Sequence, residues 1–260
     1  MSNRARSLTV ASFALLCMAA PAHAERLVVS LSNHRVAVTS SFVGENLVLF
    51  GTVEPDQPRA ALLNAYDLVV TVTGPRQTLR TRRKERVLGI WVNVDSREFV
   101  RVPSYLGILS NRPVSQIAPT DTLRSLQVGL NHVILTQRIG ADFADTVPQD
   151  PFRVAFVDLE KQAQAYRESS TAVTFLTPTV FRATIPLAAN AQTGNYAIDV
   201  KLFAGGKLVA RTNSALEVIK AGFEQFVADA ARDYGLLYGL VASLSALLIG
   251  WFGSVVFRRD

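Results

Sequence analysis

The stretch that decides the fold is residues 190–219, NAQTGNYAIDVKLFAGGKLVARTNSALEVI. Two runs of alternating apolar and polar residues flank Ala204-Gly205-Gly206. Alternation with a period of two is typical of a half-buried strand, and a glycine pair between two such runs is typical of a β-hairpin. The stretch therefore predicts two long antiparallel strands joined by a tight turn.

The N-terminal half of the chain carries the same kind of pattern. Short β-branched and aromatic runs are separated by turn-forming residues, at a spacing of about ten residues that is typical of an antiparallel sandwich. The runs are RLVVSLS, HRVAVTSSF, NLVLFGTV, YDLVVTVTG and GIWVNVD, and the breaks are GEN, EPDQP, GPRQ and DSRE. With its proline-ended strand, its Gly-Asn-Tyr turn and its final hairpin, residues 25–220 resemble an immunoglobulin-like sandwich. We therefore expect a mainly β, antiparallel domain.

A helical insertion is predicted at about residues 113–169. RPVSQIAPTDTLRSLQVG and IGADFADTVPQD indicate loops around a short helix. A longer helix follows, with Asp150 as the N-cap and Pro151 in the first turn. Apolar residues at three- and four-residue steps predict one buried face, and they are Phe152, Phe156, Leu159, Ala163 and Tyr166.

Residues 1–24 have the pattern of a secretory leader. A basic start precedes an apolar run from Leu8 to Ala20, and Ala22-His23-Ala24 is a small-x-small cleavage site. The apolar run is shorter than the roughly 20 residues that span a membrane. Cleavage after Ala24 would remove Cys17, the only cysteine, so we expect a mature chain with no disulfide and no thiolate ligand.

The C-terminal end predicts a membrane anchor. Residues 221–233 have the spacing of an amphipathic juxtamembrane helix, and residues 234–257 are uncharged and long enough to span. Residues 258–260 include Arg258 and Arg259, so the positive-inside rule predicts a cytoplasmic tail. The expected location is a bacterial inner membrane, crossed once, with the N-terminal domain in the periplasm.

Small residues recur at four-residue steps within the predicted span. They form flat stripes on which another helix can approach closely, which makes an integral membrane partner a candidate. The helix-packing candidates are Gly235, Gly239, Ser243, Ala246 and Gly250. The pattern does not specify an oligomeric state.

The mature chain shows few residues with catalytic potential. His34 and His132 lie far apart, and the sequence has neither a zinc-type spacing nor a nucleophile elbow nor a phosphate-binding glycine loop. Asp142, Asp145 and Asp150 match no known calcium loop and are interpreted as turn and cap residues. We therefore predict no catalytic residues, no metal site, no cofactor and no enzyme activity. An anchored hydrolase stays open, since the members of a triad need no sequence proximity.

The segment RTRRKERVLGIWVN, residues 80–93, carries five cations in seven residues. On a strand Arg80, Arg82, Lys84 and Arg86 would share one face, with about 6.7 Å between neighbours. This spacing lies within the roughly 8 Å Debye length, so the four cations form a candidate contact for an anionic surface.

Three readings of this basic strand remain open. It is a solvated edge that prevents aggregation, a contact for anionic headgroups, or a contact for an acidic protein surface. Nucleic acid is disfavoured by the exported location and by the lack of stacking aromatic residues. The apolar second half, Leu88 to Val92, is predicted to join the core. A bulge at Gly89 or burial under the domain would accommodate the change of face.

The order of these segments resembles the alphaproteobacterial putative transmembrane protein family of unassigned function. The resemblance covers nearly the whole mature chain, and it implies an exported domain with one C-terminal anchor. The family has no established activity, so it supplies no catalytic residues for this chain. It also implies association with a permease of sulfite-exporter type. The segments that carry it are SSFVGENLVLFG, VTGPRQ, RRKERVLGIWVN, VPSYLGILSNRP, FRATIPLAANAQTGNY and LLYGLVASLSALLIGWFGSVVFRR.

The favoured hypothesis is a non-catalytic, membrane-anchored periplasmic accessory protein that contacts an integral membrane partner. The alternative is a periplasmic receptor that binds a small anion on the basic strand and its neighbouring loops. Removing the leader leaves 25 basic and 21 acidic residues, so the excess charge of +4 is modest and the basic strand is its main local feature.

Overall fold

The computed structural model describes residues 25–39, 42–55, 66–139 and 142–256. The predicted leader and the tail at 258–260 lie outside these residues. The strands are β1 (Arg26–Leu31), β2 (Arg35–Val38), β3 (Glu45–Glu54), β4 (Tyr66–Thr73), β5 (Arg76–Val87), β6 (Ile90–Pro103), β7 (Leu106–Ser110), β8 (Thr136–Ile139), β9 (Asp142–Asp145), β10 (Tyr166–Ser169), β11 (Val173–Phe175), β12 (Val180–Leu187), β13 (Gly194–Ala204) and β14 (Lys207–Lys220). The helices are α1 (Thr120–Ser125), α2 (Pro151–Gln162), α3 (Phe223–Asp233) and α4 (Gly235–Val256), and a 3₁₀ turn covers Val114–Gln116.

The strands form three sheets, and the mainly β class is confirmed. The first sheet has the order β1-β3-β12-β11, the second β10-β7-β4-β13-β14-β2, and the third β5-β6-β8-β9. Neighbouring strands are antiparallel except for the pairs β10 with β7 and β14 with β2, which are parallel.

Two hydrophobic cores lie on opposite faces of the second sheet. The first core joins this sheet to the first sheet, and its members include Leu47, Leu49, Phe181, Ile198 and Val200. The second core joins the other face to β6, α1 and α2, and its members include Val69, Phe99, Leu123, Phe156 and Phe203. Strand β4 is therefore buried on both faces, which explains its almost continuous apolar sequence, YDLVVTVT.

The final hairpin is confirmed. Strands β13 and β14 pair from Gly194–Val218 to Ala204–Lys207, and Gly205 and Gly206 form the turn with φ values of +55° and +80°. Positive φ at both turn residues is the geometry of a type I′ turn, which glycine adopts without steric cost.

The region at 113–169 contains both helices and strands. Asp150 caps α2 as predicted, since its side chain accepts hydrogen bonds from the backbone N–H groups of Phe152 and Arg153. The predicted loop IGADFADTVPQD is corrected, because Asp142–Asp145 form strand β9 against β8. The predicted stripe is wrong at Leu159 and Ala163, which are exposed, and Tyr166 lies in β10. The buried face of α2 is formed instead by Phe152, Arg153, Phe156 and Val157.

Strand β6 corrects a second expectation. DSRE was predicted to interrupt two strands, but residues 95–98 continue β6 without a break. Asp95 and Ser96 pair with Arg83 and Arg82 of β5, and this pairing outweighs their low strand propensity.

Candidate functional site

The basic strand is one half of a long hairpin that extends beyond the second core. The base of the hairpin is fixed by Thr81, which is buried, and by Phe99, which is fully buried in the second core. Arg97 adds a contact here, with its guanidinium 5.3 Å from the centroid of the Phe152 ring. We name residues 82–96 the arm, because the side chains of both strands are exposed over nearly all of this range.

The turn of the arm is formed by Leu88 and Gly89, between the paired residues Val87 and Ile90. Their φ values are +49° and +89°, the type I′ geometry in which Asn-Gly and Asp-Gly are preferred. A leucine in the left-handed region costs roughly 1 kcal/mol or more. The Leu88 side chain is 100% exposed, so burial does not offset this cost. Such a residue at a loop tip suggests a function that requires it.

The apolar half of the segment does not join the core, so that prediction was wrong. Ile90 is 67% exposed, Trp91 69% and Val87 45%. The expected bulge at Gly89 is also corrected. Gly89 lies in the turn, and the register shift within the arm falls between Arg83 and Lys84, where Val94 of β6 has no partner. The physical reason is that the hairpin is longer than the core beneath it, so no other part of the described chain covers the tip.

The register gives the arm two different faces. Directly opposite residues of an antiparallel pair share a face. Arg86 lies opposite Trp91, and Lys84 opposite Asn93, on the face that also carries Arg82. The other face carries Val87, Ile90 and Val92, together with the ion pair of Arg83 and Glu85 at 3.2 Å. One face is therefore basic with an aromatic residue, and the other is largely apolar.

The four cations that were predicted to contact an anionic surface have different environments. Arg80 lies at the base, where Glu98 is 3.8 Å from both Arg80 and Arg138. Arg86 donates from Nε to the carbonyl oxygen of Gly89 at 3.2 Å. Among the described residues, no carboxylate pairs with Arg82 or Lys84. Of these four residues, the three that have no carboxylate partner in the described part of the chain are therefore Arg82, Lys84 and Arg86, and all three lie on the arm.

The predicted anchor is present as α4. Within the described residues, Gly235–Ser254 is the helix long and apolar enough to cross a membrane, and none of its stretch is buried. A side chain at Gly235, Gly239 or Gly250 would meet no other atom within 4 Å. The small-residue stripe, including Ser243 and Ala246, is thus exposed rather than packed within the chain.

The comparison with protein families is decisive for the identity of the chain. Residues 26–259 match the family described as "Putative transmembrane protein (Alph_Pro_TM)". The chain belongs to this family. Membership and the single apolar helix together support a single-pass membrane protein.

This Alph_Pro_TM member was also compared with curated proteins and with solved structures. The search of curated proteins gave no match. Among solved structures, the chain is similar to AggA, the major subunit of aggregative adherence fimbriae type I from Escherichia coli, at 9% identity. The similarity covers 76% of this chain and 95% of the fimbrial chain, with a TM-score of 0.24. Likeness at this level assigns neither a topology nor a function.

The histidines and aspartates of this family member are dispersed. His34 is exposed before β2, and His132 is half-buried, where burial and the nearby Arg124 lower its pKa. Asp145 accepts a hydrogen bond from Thr136 at 2.8 Å, and Asp150 caps α2. In the described ranges, no three acidic, histidine or cysteine side chains are grouped as metal ligands.

Two groups of residues in this Alph_Pro_TM chain were missed by sequence reasoning. The first is the exposed tip around Leu88 and Trp91, for which a leucine before glycine in a hairpin turn was an available signal. The second is a buried cluster around Lys201 in β13. A lysine inside the apolar run IDVKLF was the signal there.

Proposed function

We propose that this protein is a non-catalytic, membrane-anchored accessory protein whose exported β domain binds an integral membrane protein through the arm. In this proposal the leader is cleaved after Ala24, the immunoglobulin-like domain is periplasmic, and α4 crosses the inner membrane. The observation that carries the proposal is the fully exposed, left-handed Leu88 at the tip of a protruding hairpin.

The composition of the arm favours a protein interface. Tryptophan and arginine are enriched among the residues that dominate interface energies, and Trp91 lies directly opposite Arg86. Burying one side chain such as Leu88 or Ile90 contributes about 1.5–3 kcal/mol. The cations beside them would increase the rate of association with an acidic partner surface.

A lipid surface is the competing partner for a basic and aromatic hairpin. Glu85 and Asp95 lie among the cations of the arm, and both carboxylates would be repelled by anionic headgroups. A protein surface can match mixed charges individually, which a bilayer cannot do. The charge pattern therefore favours a protein partner.

Anchoring in the same membrane supports the identity of the partner as an integral membrane protein. Confinement raises the effective concentration of the two proteins, so a small contact such as the arm suffices for binding. The exposed stripe of small residues on α4 is compatible with a second contact inside the bilayer. A permease of sulfite-exporter type is the partner that the family resemblance suggests.

Site-specific photocrosslinking tests the proposal. A photoreactive amino acid replaces Trp91 in the full chain within native membranes, and Leu176, 54% exposed and outside the arm, is the matched control position. We expect an adduct with one integral membrane protein from position 91 and not from position 176, identified by mass spectrometry. Adducts with lipid alone, or equal adducts from both positions, would contradict the proposal.

The substitution Leu88→Asn separates folding from binding. Asparagine tolerates the left-handed region and completes a preferred Asn-Gly turn, so the thermal unfolding midpoint should stay the same or rise. Loss of about 2 kcal/mol of apolar burial would weaken binding roughly 30-fold, which should strongly reduce the crosslink yield from position 91. Leu176→Asn is the control, and an unchanged yield in Leu88→Asn would contradict the role of the tip.

A further inference from the structure

A cavity of about 310 Å³ opens on the face of the second sheet that carries the second core. Its floor is formed by strands β4, β13 and β14, and residues 125–127 and 133–134 form its walls. Arg76, at the start of β5, is exposed and lies at its rim. The arm does not contribute to this cavity, so the two surfaces are independent.

Positive charge dominates the lining. The charged residues described there are Arg76, Lys201 and Arg211, with Asp199 as the counterion. Lys201 is only 3% exposed, and its partner in the register of β14 is Arg211. Three cations thus line the cavity beside one carboxylate, an excess of two positive charges. The buried Lys201 is paired with Asp199, whereas Arg76 and Arg211 are exposed.

Asp199 is fully engaged by two of the cations. It accepts hydrogen bonds from Lys201 Nζ, and from Arg211 Nε at 2.8 Å and Nη2 at 3.0 Å. Burial alone would raise the pKa of Asp199, but these hydrogen bonds hold it below its usual value. Asp199 is therefore ionised and orients the two cations, while Lys201 retains two N–H groups for another acceptor.

An unpartnered hydroxyl completes the lining. Thr71 is 8% exposed and lies opposite Asp199 in the register of β4 and β13, so both side chains share the cavity face. Among the described residues, Thr71 Oγ1 is buried and makes no hydrogen bond. Such groups are rare in folded proteins, and this one lies beside cations that have unused donors.

We propose that this cavity is a binding site for a small doubly charged oxyanion of the sulfate or phosphate class. Two negative charges would balance the lining, and Lys201, Arg211 and Thr71 would donate to the anion oxygens. Arg76, which already donates to the carbonyl oxygen of Arg101 at 3.0 Å, has further N–H groups at the rim. The site lies away from Arg80, Arg82, Lys84 and Arg86, where the sequence placed its alternative anion receptor.

The test is the thermal unfolding of the detergent-solubilised full chain during titration with sodium sulfate, sodium phosphate or glycerol phosphate. Sodium chloride keeps the ionic strength constant, and saturation distinguishes binding from the stabilisation that excluded salts such as sulfate give without binding. We expect a saturable rise of the unfolding midpoint and heat of binding by calorimetry. A response to glycerol phosphate alone would assign the site to a phosphate monoester such as a lipid headgroup, and a response to the inorganic anions would assign it to the free ions.

Three variants make this test specific. Thr71→Val removes the unpartnered hydroxyl, so the empty protein should be no less stable, while the half-saturating anion concentration should rise several-fold. Arg76→Gln, at the exposed rim, should raise the half-saturating anion concentration about tenfold, because it removes a charged donor. Arg82→Gln on the arm should leave this concentration unchanged. A response that is not saturable, or that is the same in Thr71→Val, Arg76→Gln and the wild-type chain, would overturn the proposal.

Discussion

Arg153 illustrates how a single buried cation can organise a region. The residue is 4% exposed. Its guanidinium donates to the carbonyl oxygens of Val133 at 2.6 Å and Asn131 at 3.3 Å, and to Thr146 Oγ1 at 3.3 Å. Burial lowers its pKa, but a guanidinium stays charged at neutral pH. Arg153 therefore ties α2 to the loop before β8 through the partial negative charge of backbone carbonyls.

Tyr105 gives a prediction at the residue scale. It is 2% exposed, its hydroxyl donates to the carbonyl oxygen of Pro186 at 2.6 Å, and burial raises its pKa to about 12. Below about pH 10 the tyrosine is neutral in both the folded and the unfolded chain. Between pH 10 and 12 only the unfolded chain releases the proton, so this residue should lower the free energy of unfolding by up to about 2–3 kcal/mol.

Tyr105→Phe checks this pH dependence. At pH 7 the variant should be less stable by about 1 kcal/mol, because it loses the hydrogen bond to Pro186. Phenylalanine has no proton to release, so the difference from the wild type should shrink above pH 10 and change sign before pH 11.5, where the wild type has lost about 2 kcal/mol. Denaturant unfolding of both detergent-solubilised chains from pH 7 to 11.5 measures it, and a constant difference would contradict the assignment.

At the scale of elements, the arm differs from the rest of the third sheet. Its base is held by the second core, but beyond Thr81 the strands are stabilised mainly by their own pairing and by the turn. A two-stranded ribbon that packs against no third strand or helix is only marginally stable in water. The length of the arm is therefore poorly explained by the stability of the domain and better explained by contact with a partner.

Shortening the arm tests this view. Replacing Arg86 to Trp91 by Asn-Gly would close the hairpin directly after the pair Glu85–Val92, in the same register. The removed side chains are exposed, so we expect the free energy of unfolding to change by less than about 1 kcal/mol. Copurification of the membrane protein captured from position 91 should be lost. Large destabilisation would show that the arm is part of the fold instead.

Helix α2 shows the limit of periodicity at this scale. Its start was predicted correctly, because a cap depends on residues that are adjacent in sequence. Its buried face was only partly predicted, because Leu159 and Ala163 fit the spacing but face solvent. The second core accepts only one side of the first two turns, and the chain leaves the helix at Gln164, whose φ is +59°.

For the whole molecule, the anchor determines on which side of the membrane each end of the chain lies. The predicted topology has the β domain outside the cytoplasm and the basic tail inside. Cysteine labelling of intact cells tests it, since the mature chain would have no cysteine of its own. With a membrane-impermeant maleimide and a permeabilised outer membrane, Leu176→Cys should be labelled and Asp260→Cys only after lysis. The reverse order of labelling would contradict the topology.

The sequence by itself determined the features that depend on neighbouring residues. These are the β class, the Gly205-Gly206 hairpin, the cap at Asp150 and the C-terminal anchor. Turn chemistry, capping and long apolar runs act within a few turns or a single helix, so the chain carries their signal locally.

Only the tertiary structure decided which faces of the strands are covered. The tip at Leu88 has the composition of a core strand, yet the core ends before reaching it. Counting back from the Gly205-Gly206 turn would pair Lys201 with Ala210, but the unpaired Val209 shifts the register by one and brings Arg211 opposite Lys201. A one-residue shift moves side chains to the other face of a sheet, and that shift is decided by packing between strands distant in sequence.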